Sequence, residues 1–227
     1  LGPPRQITYA GEDTFSGEVR RGIGGDTSDL KWAHKRIAIL GMGAYAVENM
    51  RTALEHKAAH VTILCRRRGT VSPRPNDWAN NLRPVDDKFY RATGGNGKQF
   101  ALWNQCYDVC DAVPPECWKR GELKESGHGI SVGDIYFVGH HMKRVSVQLG
   151  EAEALTPTGV ITTPLSKTLA ADIIIKSVGF EHCNFIEGIF GRSHIDIQTN
   201  EMANNLYLQA EYFQDFSSHT DSVLGLT

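Results

Sequence analysis

The sequence predicts an α/β domain built on a parallel sheet, and three observations predict it. Ile37-Ala38-Ile39-Leu40 is a short, apolar, β-branched run of the kind that forms a strand buried on both faces. It leads directly into Gly41-Met42-Gly43-Ala44-Tyr45-Ala46, a G-x-G-x-x-A turn, and then into a helical pattern. A second apolar run, Val61-Thr62-Ile63-Leu64-Cys65, completes a strand–turn–helix–strand unit over residues 35–68.

Each residue of that unit has a physical reason. Gly41 permits a tight turn out of the strand, and Gly43, lacking a Cβ, lets the backbone approach a pyrophosphate. Ala46 is small enough for the helix to lie close to the sheet. Val47, Met50, Leu54 and Ala58 recur at helical spacing and face the sheet. Ala44 and Tyr45 open the helix, whose N-terminal N–H groups and dipole favour phosphate. Glu48 lies early in that helix and His56 and Lys57 late, each at the end suited to its charge. The context is that of a Rossmann-like nucleotide-binding unit.

The residues after the second strand select the nucleotide. An NAD site places an acid there to accept from the ribose 2′-hydroxyl. This chain has no acid between Glu55 and Asp77 and carries Arg66-Arg67-Arg68 at that point. A 2′-phosphate would gain a charge-assisted, bidentate partner, so the pattern favours NADP(H). Arg66 directly follows the strand and ranks first, Arg67 second, and Arg68 is expected to face solvent. The competing reading is a solvated basic patch.

The rest of the chain is read in order. Residues 1–34 are rich in Gly, Asp and Thr and read as a linker with one short strand near Phe15–Val19. Residues 69–84 read as an ordered loop, and 85–122 as mostly helical, with Phe89, Phe100, Trp103, Tyr107 and Trp118 forming either a substrate wall or a helical layer on the sheet. Beyond residue 130 the texture is β. Asp134–Val138, Arg144–Leu149, Ala152–Leu155 and Val160–Thr163 are expected as strands of a small meander inserted before the last parallel strand. Ala171–Phe180 is that last strand, ending in Gly179, which either allows close approach at the end of the strand or is a plain turn glycine. Residues 181–190 suggest a short helix, and Leu206–Leu208 a further strand.

Composition bounds the function. The chain has 227 residues and a formal net charge of −2, which points away from nucleic acid and anionic membranes as partners. No apolar run has the length of a membrane span. Five cysteines without disulfide spacing suit a reducing, cytoplasmic setting. Cys106, Cys110 and Cys117 with His128, His140 or His141 lack zinc-finger spacing, so no metal is expected. None of the seven tyrosines has a lysine four residues on, which disfavours a short-chain reductase.

Three stretches together resemble the NADPH-binding part of flavin-containing monooxygenase-like flavoproteins. Gly41–Asn49 (GMGAYAVEN) is similar to that family's G-x-G-x-S-[AG]-x-[DE] motif, with Ala46 and Glu48 at its small and acidic positions. Val61–Arg68 resembles its strand with a basic end, and Ala171–Phe180 (ADIIIKSVGF) its D-x-[IV]-[IV]-x-[AC]-T-G-[YF] strand. The family's F-x-G-x-x-x-H segment is met by Phe15 and Gly17, with Arg21 at the histidine position; Tyr45 and Val178 are further departures. The resemblance implies an α/β Rossmann-like domain with parallel sheet, helical layer and β-meander insertion at 35–180. It implies that 1–34 and 181–227 adjoin an FAD-binding domain of the same parent protein, in which NADPH reduces FAD for a monooxygenase reaction on a small-molecule substrate. The family's first glycine fingerprint, which holds FAD, is absent, and the chain reads as a piece of something longer. No catalytic residue is assigned. The expected cofactor-binding set is Gly41, Gly43, Ala44, Tyr45, Ala46, Glu48, Arg66, Arg67 and Gly179. Two alternatives stay open: a flavoprotein reductase without oxygen chemistry, and a non-catalytic nucleotide-binding module.

Overall fold

The computed structural model describes residues 3–74, 96–122, 124–125, 129–164, 166–181, 197–199 and 204–206. The chain forms two compact units, Ile7–Val178 and a second drawn from Leu1–Gln6 and Gly179–Thr227. In chain order the first unit contains β1 (Glu18–Arg21), β2 (Arg36–Leu40), α1 (Ala44–Glu55), β3 (His60–Cys65), β4 (Val71–Ser72), α2 (Asn96–Val109) and β5 (Ser131–Val132). It continues with α3 (Asp134–His141), β6 (Val145–Leu149), β7 (Glu151–Thr156), β8 (Gly159–Thr163), β9 (Lys167–Ala170) and β10 (Ile173–Lys176). Five strands make one parallel sheet in the order β1-β10-β2-β3-β6. β7, β8 and β9 make a separate antiparallel meander, and β4 pairs with β5. In the second unit, β11 (Ile197–Thr199) pairs antiparallel with β12 (Asn204–Leu206), and Pro4 bridges Phe180.

Strand periodicity explains the layers. Successive side chains point to opposite faces, so odd and even residues of each sheet strand meet different partners. Ile37, Ile39, Val61, Ile63, Ile173 and Ile175 join one core with Val47 and Met50 of α1, Tyr107 of α2 and Tyr136 and Phe137 of α3. Ala38, Leu40, Leu64 and Ile174 join a second core with Phe15, Leu155, Val160 and Ala171. Helices thus cover one face and the meander the other, and a parallel sheet needs both faces covered.

α1 buries Ala46, Val47, Met50 and Ala53, with Leu54 partly buried, and Ala58 beyond its end is fully buried. Two aromatic residues of α2, Trp103 and Tyr107, belong to the core. Both are buried, and the Tyr107 ring stands edge-on to Trp118 and Phe137, each at 5.1 Å between centroids. The Tyr107 hydroxyl accepts from the Val71 N–H at 2.9 Å and donates to the Val71 carbonyl at 3.0 Å, fixing β4. This is the helical-layer alternative of the sequence reading. Phe89 lies outside the described residues.

The structure corrects four element assignments. Asp134–Val138 is helical, within α3. Its Ile and Val suggest a strand, but Tyr136, Phe137, Gly139 and His140 are buried at helical spacing, and that tertiary packing overrides propensity. Gly139 is required there, because a Cβ would stand 2.6 Å from Val145 Cγ2. β6 joins the parallel sheet rather than the meander, whose third strand is instead β9. The first strand is Glu18–Arg21 rather than Phe15–Val19, and Phe15 packs beneath it in the core. The last strand candidate falls at Asn204–Leu206. The expected helix at 181–190 lies outside the described residues except for Glu181.

Candidate nucleotide-binding site

The sheet order creates the site. From β2 the chain passes through α1 to β3 on one side, while β10 lies against β2 on the other. The reversal leaves a crevice outside the carboxyl ends of β2 and β10, where open α/β sheets bind ligands. The Gly41–Ala46 turn occupies that end of β2.

Gly41 has φ +105°, and a Cβ on it would stand 2.2 Å from the Ser177 carbonyl oxygen at the end of β10. Both the backbone conformation and the approach of β10 therefore demand glycine. Its N–H donates to the Leu64 carbonyl at 2.8 Å, tying the turn to β3. Gly43 differs. It is extended, at φ −141°, and a Cβ on it would meet no atom of the described residues within 4 Å. Nothing among the described residues requires glycine at 43, whereas a phosphate brought against the backbone would. Gly43 is also the N-cap of α1 and has no side chain to offer the first-turn N–H groups. Ala44 follows it, Tyr45 is 43% exposed beside the turn, and Ala46 is fully buried against the sheet.

Beneath the turn, Met42 is buried and its sulfur accepts from the Cys65 thiol at 3.9 Å. Burial pushes the Cys65 thiol up to about 11, so it packs as a neutral group. Asn49, buried in α1, donates to the Gly22 carbonyl at 2.8 Å and to the Tyr45 carbonyl at 2.7 Å. It fixes the first turn of α1 to the segment after β1, a contact that helical periodicity alone does not reveal. At the end of β10 the Ser177 hydroxyl oxygen is buried without a partner among the described residues.

The arginines separate. Arg66 is exposed, and its Nε lies 3.4 Å from the Glu151 carboxylate. Arg67 is exposed, with Nη1 3.7 Å from the Glu125 carboxylate, which Arg120 also holds, at 3.1 Å to both oxygens. Arg68, expected in solvent, is half-buried with its Nε enclosed. Sequence reading did not anticipate Glu125 and Glu151, because both reach the arginines from distant segments. Glu48 pairs with Arg51 on the exposed side of α1, at 3.0 Å. Gly179, at φ +87°, belongs to the second compact unit, where its carbonyl accepts from Arg5 N–H at 3.1 Å.

Cys65, Cys106, Cys110 and Cys117 are free thiols, and no cluster of three or more metal-ligating side chains occurs among the described residues. No helix among them is long and apolar enough to cross a membrane.

Comparison with solved structures agrees with the fold. The chain is similar to an oxidized steroid monooxygenase bound to NADP, at 15% identity and TM-score 0.54 over 77% of this chain and 44% of that one. It is similar to OTEMO in complex with FAD and NADP, at 15% identity and TM-score 0.55 over 88% and 48%. It is also similar to ε-caprolactone-bound cyclohexanone monooxygenase, at 13% identity and TM-score 0.56 over 81% and 47%. The α/β fold matches part of these flavoproteins. The chain spans less than half the length of each of them. No protein-family model and no curated protein matches it.

Proposed function

We propose that this chain binds NADP(H) as part of an FAD-dependent oxidoreductase of monooxygenase type. The observation that carries the reading is the contrast between Gly41, which the fold itself requires, and Gly43, where the described residues leave the backbone open to a close ligand. The backbone from Gly41 to Ala46 receives the pyrophosphate, helped by the N-terminal end of α1. Tyr45 and Glu48 flank that path.

Arg66 takes the 2′-phosphate, with Arg67 as second partner. Magnitudes favour the exchange. The exposed Arg66–Glu151 pair is worth about 0–1 kcal/mol. A hydrogen bond from guanidinium to phosphate contributes about 1.5–3 kcal/mol. Releasing Arg67 leaves the Glu125 carboxylate still held by Arg120, so that exchange strands no buried charge.

The domain's own work is to orient the nicotinamide and hold the nucleotide phosphates; the hydride and oxygen chemistry would belong to the flavin. The sequence contains one strand–glycine–helix fingerprint, and that one fits the nicotinamide nucleotide. These residues do not fit a second dinucleotide, so FAD is assigned to another domain of the parent protein, with segments 1–34 and 181–227 leading toward it. A reductase with a different electron acceptor would use the same half-site. Oxygen consumption by the full parent with NADPH separates the two.

The site is tested by following backbone amide resonances while adding adenosine 2′,5′-bisphosphate or 5′-AMP. The reading expects shifts centred on residues 41–46 with both, and at 66–67 with the bisphosphate alone. Shifts confined to other elements would overturn it.

A further inference from the structure

Glu125 is the one carboxylate buried among the described residues, at 8% exposed. A buried charge is costly unless cations hold it, and two reach this one from different segments. Nη2 of Arg120 lies 3.1 Å from each of its oxygens, and Nη1 of Arg67 lies 3.7 Å from Oε2. The two grips differ in kind. Arg120 donates hydrogen bonds to the carboxylate, whereas the Arg67 contact is an ion pair too long for one. Arg120 is also fixed from its other side, with Nε and Nη2 donating to Glu122 at 3.1 and 2.7 Å.

The chain builds Arg120 into a fixed corner. Arg120 ends a short 3-10 helix, Glu116–Arg120, whose Cys117 is fully buried and whose Trp118 ring stands against Tyr107. Gly121 then turns the chain at φ +74°, and Glu122 and Glu125 fold back onto the Arg120 guanidinium. Arg67, just past the end of β3, is 65% exposed along its side chain.

We propose that Arg120 is a positioning residue for NADP(H) specificity: by holding Glu125 it leaves Arg67 free to meet the 2′-phosphate, without touching the nucleotide itself. This rests on the assignment of Arg67 to that phosphate. Two anions compete for Arg67, the Glu125 carboxylate and the phosphate. With Arg120 in place, the carboxylate keeps a hydrogen-bonded cation when Arg67 departs. Without Arg120, Arg67 is the cation that remains at a buried carboxylate, and giving it to the phosphate strands that charge. Discrimination between a 2′-phosphate and a 2′-hydroxyl then falls, although no group that meets the phosphate has changed. The Arg66–Glu151 pair behaves differently, because both partners are exposed and breaking it strands nothing.

The experiment is calorimetric titration of the chain with adenosine 2′,5′-bisphosphate and with 5′-AMP, read as the ratio of the two affinities. Arg67→Gln, Arg120→Gln, Glu125→Gln and the double variant Arg120→Gln/Glu125→Gln are compared with the parent. In Arg120→Gln the ratio is expected to fall about fivefold or more, toward that of Arg67→Gln, with the 5′-AMP affinity unchanged. Glu125→Gln removes the competing anion, so that variant and the double variant should keep or exceed the parent's ratio. This recovery is what a merely structural role of Arg120 would not give. A parent ratio kept in Arg120→Gln, an equal fall for both ligands, or a fall that persists in the double variant would overturn the proposal. If Arg120→Gln does not fold, Glu125→Gln carries the test, and a ratio below the parent's would overturn it. A ratio unmoved by Arg67→Gln, or no binding of either ligand, would overturn it together with the Arg67 assignment, which tells the two failures apart.

Discussion

Two glycines two residues apart do different work. Gly41→Ala places a Cβ against the Ser177 carbonyl at a positive φ, so it is expected to cost the fold roughly 2 kcal/mol or more. Gly43→Ala meets no atom of the described residues and has an ordinary extended φ, so its stability should stay within about 0.5 kcal/mol of the parent. Its NADPH affinity should nevertheless fall by about tenfold or more, because the methyl group holds the phosphate off the backbone. Urea unfolding and nucleotide titration of both variants check the pair. The same scale explains the arginines: which of Arg66, Arg67 and Arg68 reaches solvent depends on Glu151, Glu125 and the α2–α3 layer, all contributed from far along the chain. Glu151→Gln frees Arg66, and the account expects NADPH to bind that variant a few-fold more tightly while NADH is unaffected. Equal gains for both nucleotides would count against the phosphate assignment.

At the scale of elements, α1 is held at both ends of its first turn. Asn49→Ala removes the amide that serves the Gly22 and Tyr45 carbonyls and leaves the former buried, a loss of about 1–3 kcal/mol. The measurement is the urea midpoint, and a change below about 0.5 kcal/mol would show that the contact is incidental. The β2–α1–β3 unit was legible because strand, turn and helix each carry a local signature that agrees with the next. α3 was not. Asp134-Ile135-Tyr136-Phe137-Val138 has the β-branched and aromatic content of a strand, and only its burial among α1, α2 and β6 makes it a helix. β9 was missed for a related reason. Lys167-Thr168-Leu169-Ala170 is mostly exposed and short, so its pairing with β8 has little hydrophobic pattern to announce it. Asn49 and Glu151 escaped for another reason, since polar contacts between distant segments leave no periodicity.

At the scale of the whole unit, one exposed ion pair joins the starts of two central strands. Asp172 accepts from Arg36 through Nη2 at 2.8 Å, Nε at 3.2 Å and the backbone N–H at 2.8 Å. The hydrogen bonds from the Arg36 side chain hold the Asp172 carboxyl down at about 2, against an ordinary 3.8. A carboxyl depressed in the folded state stabilises above its unfolded value, and that contribution disappears as pH falls from about 4 to about 2. Asp172→Asn should therefore lose about 1 kcal/mol at neutral pH, after allowing for the exposure of Arg36. The difference from the parent should vanish near pH 2, as thermal unfolding across that range would show. The sheet order itself places β10 beside β2, and so sets the crevice at which the glycine turn opens.

The central claim is that this crevice holds a nicotinamide nucleotide and that Arg66 reads its 2′-phosphate. Calorimetric titration of the chain with NADPH and with NADH, in the parent and in Arg66→Gln, tests it most directly. The account predicts tighter binding of NADPH by roughly tenfold or more, falling most of the way toward the NADH value in the variant, where Arg67 remains. Equal affinities in the parent, a preference for NADH, or an Arg66→Gln variant that keeps the full NADPH preference would contradict it.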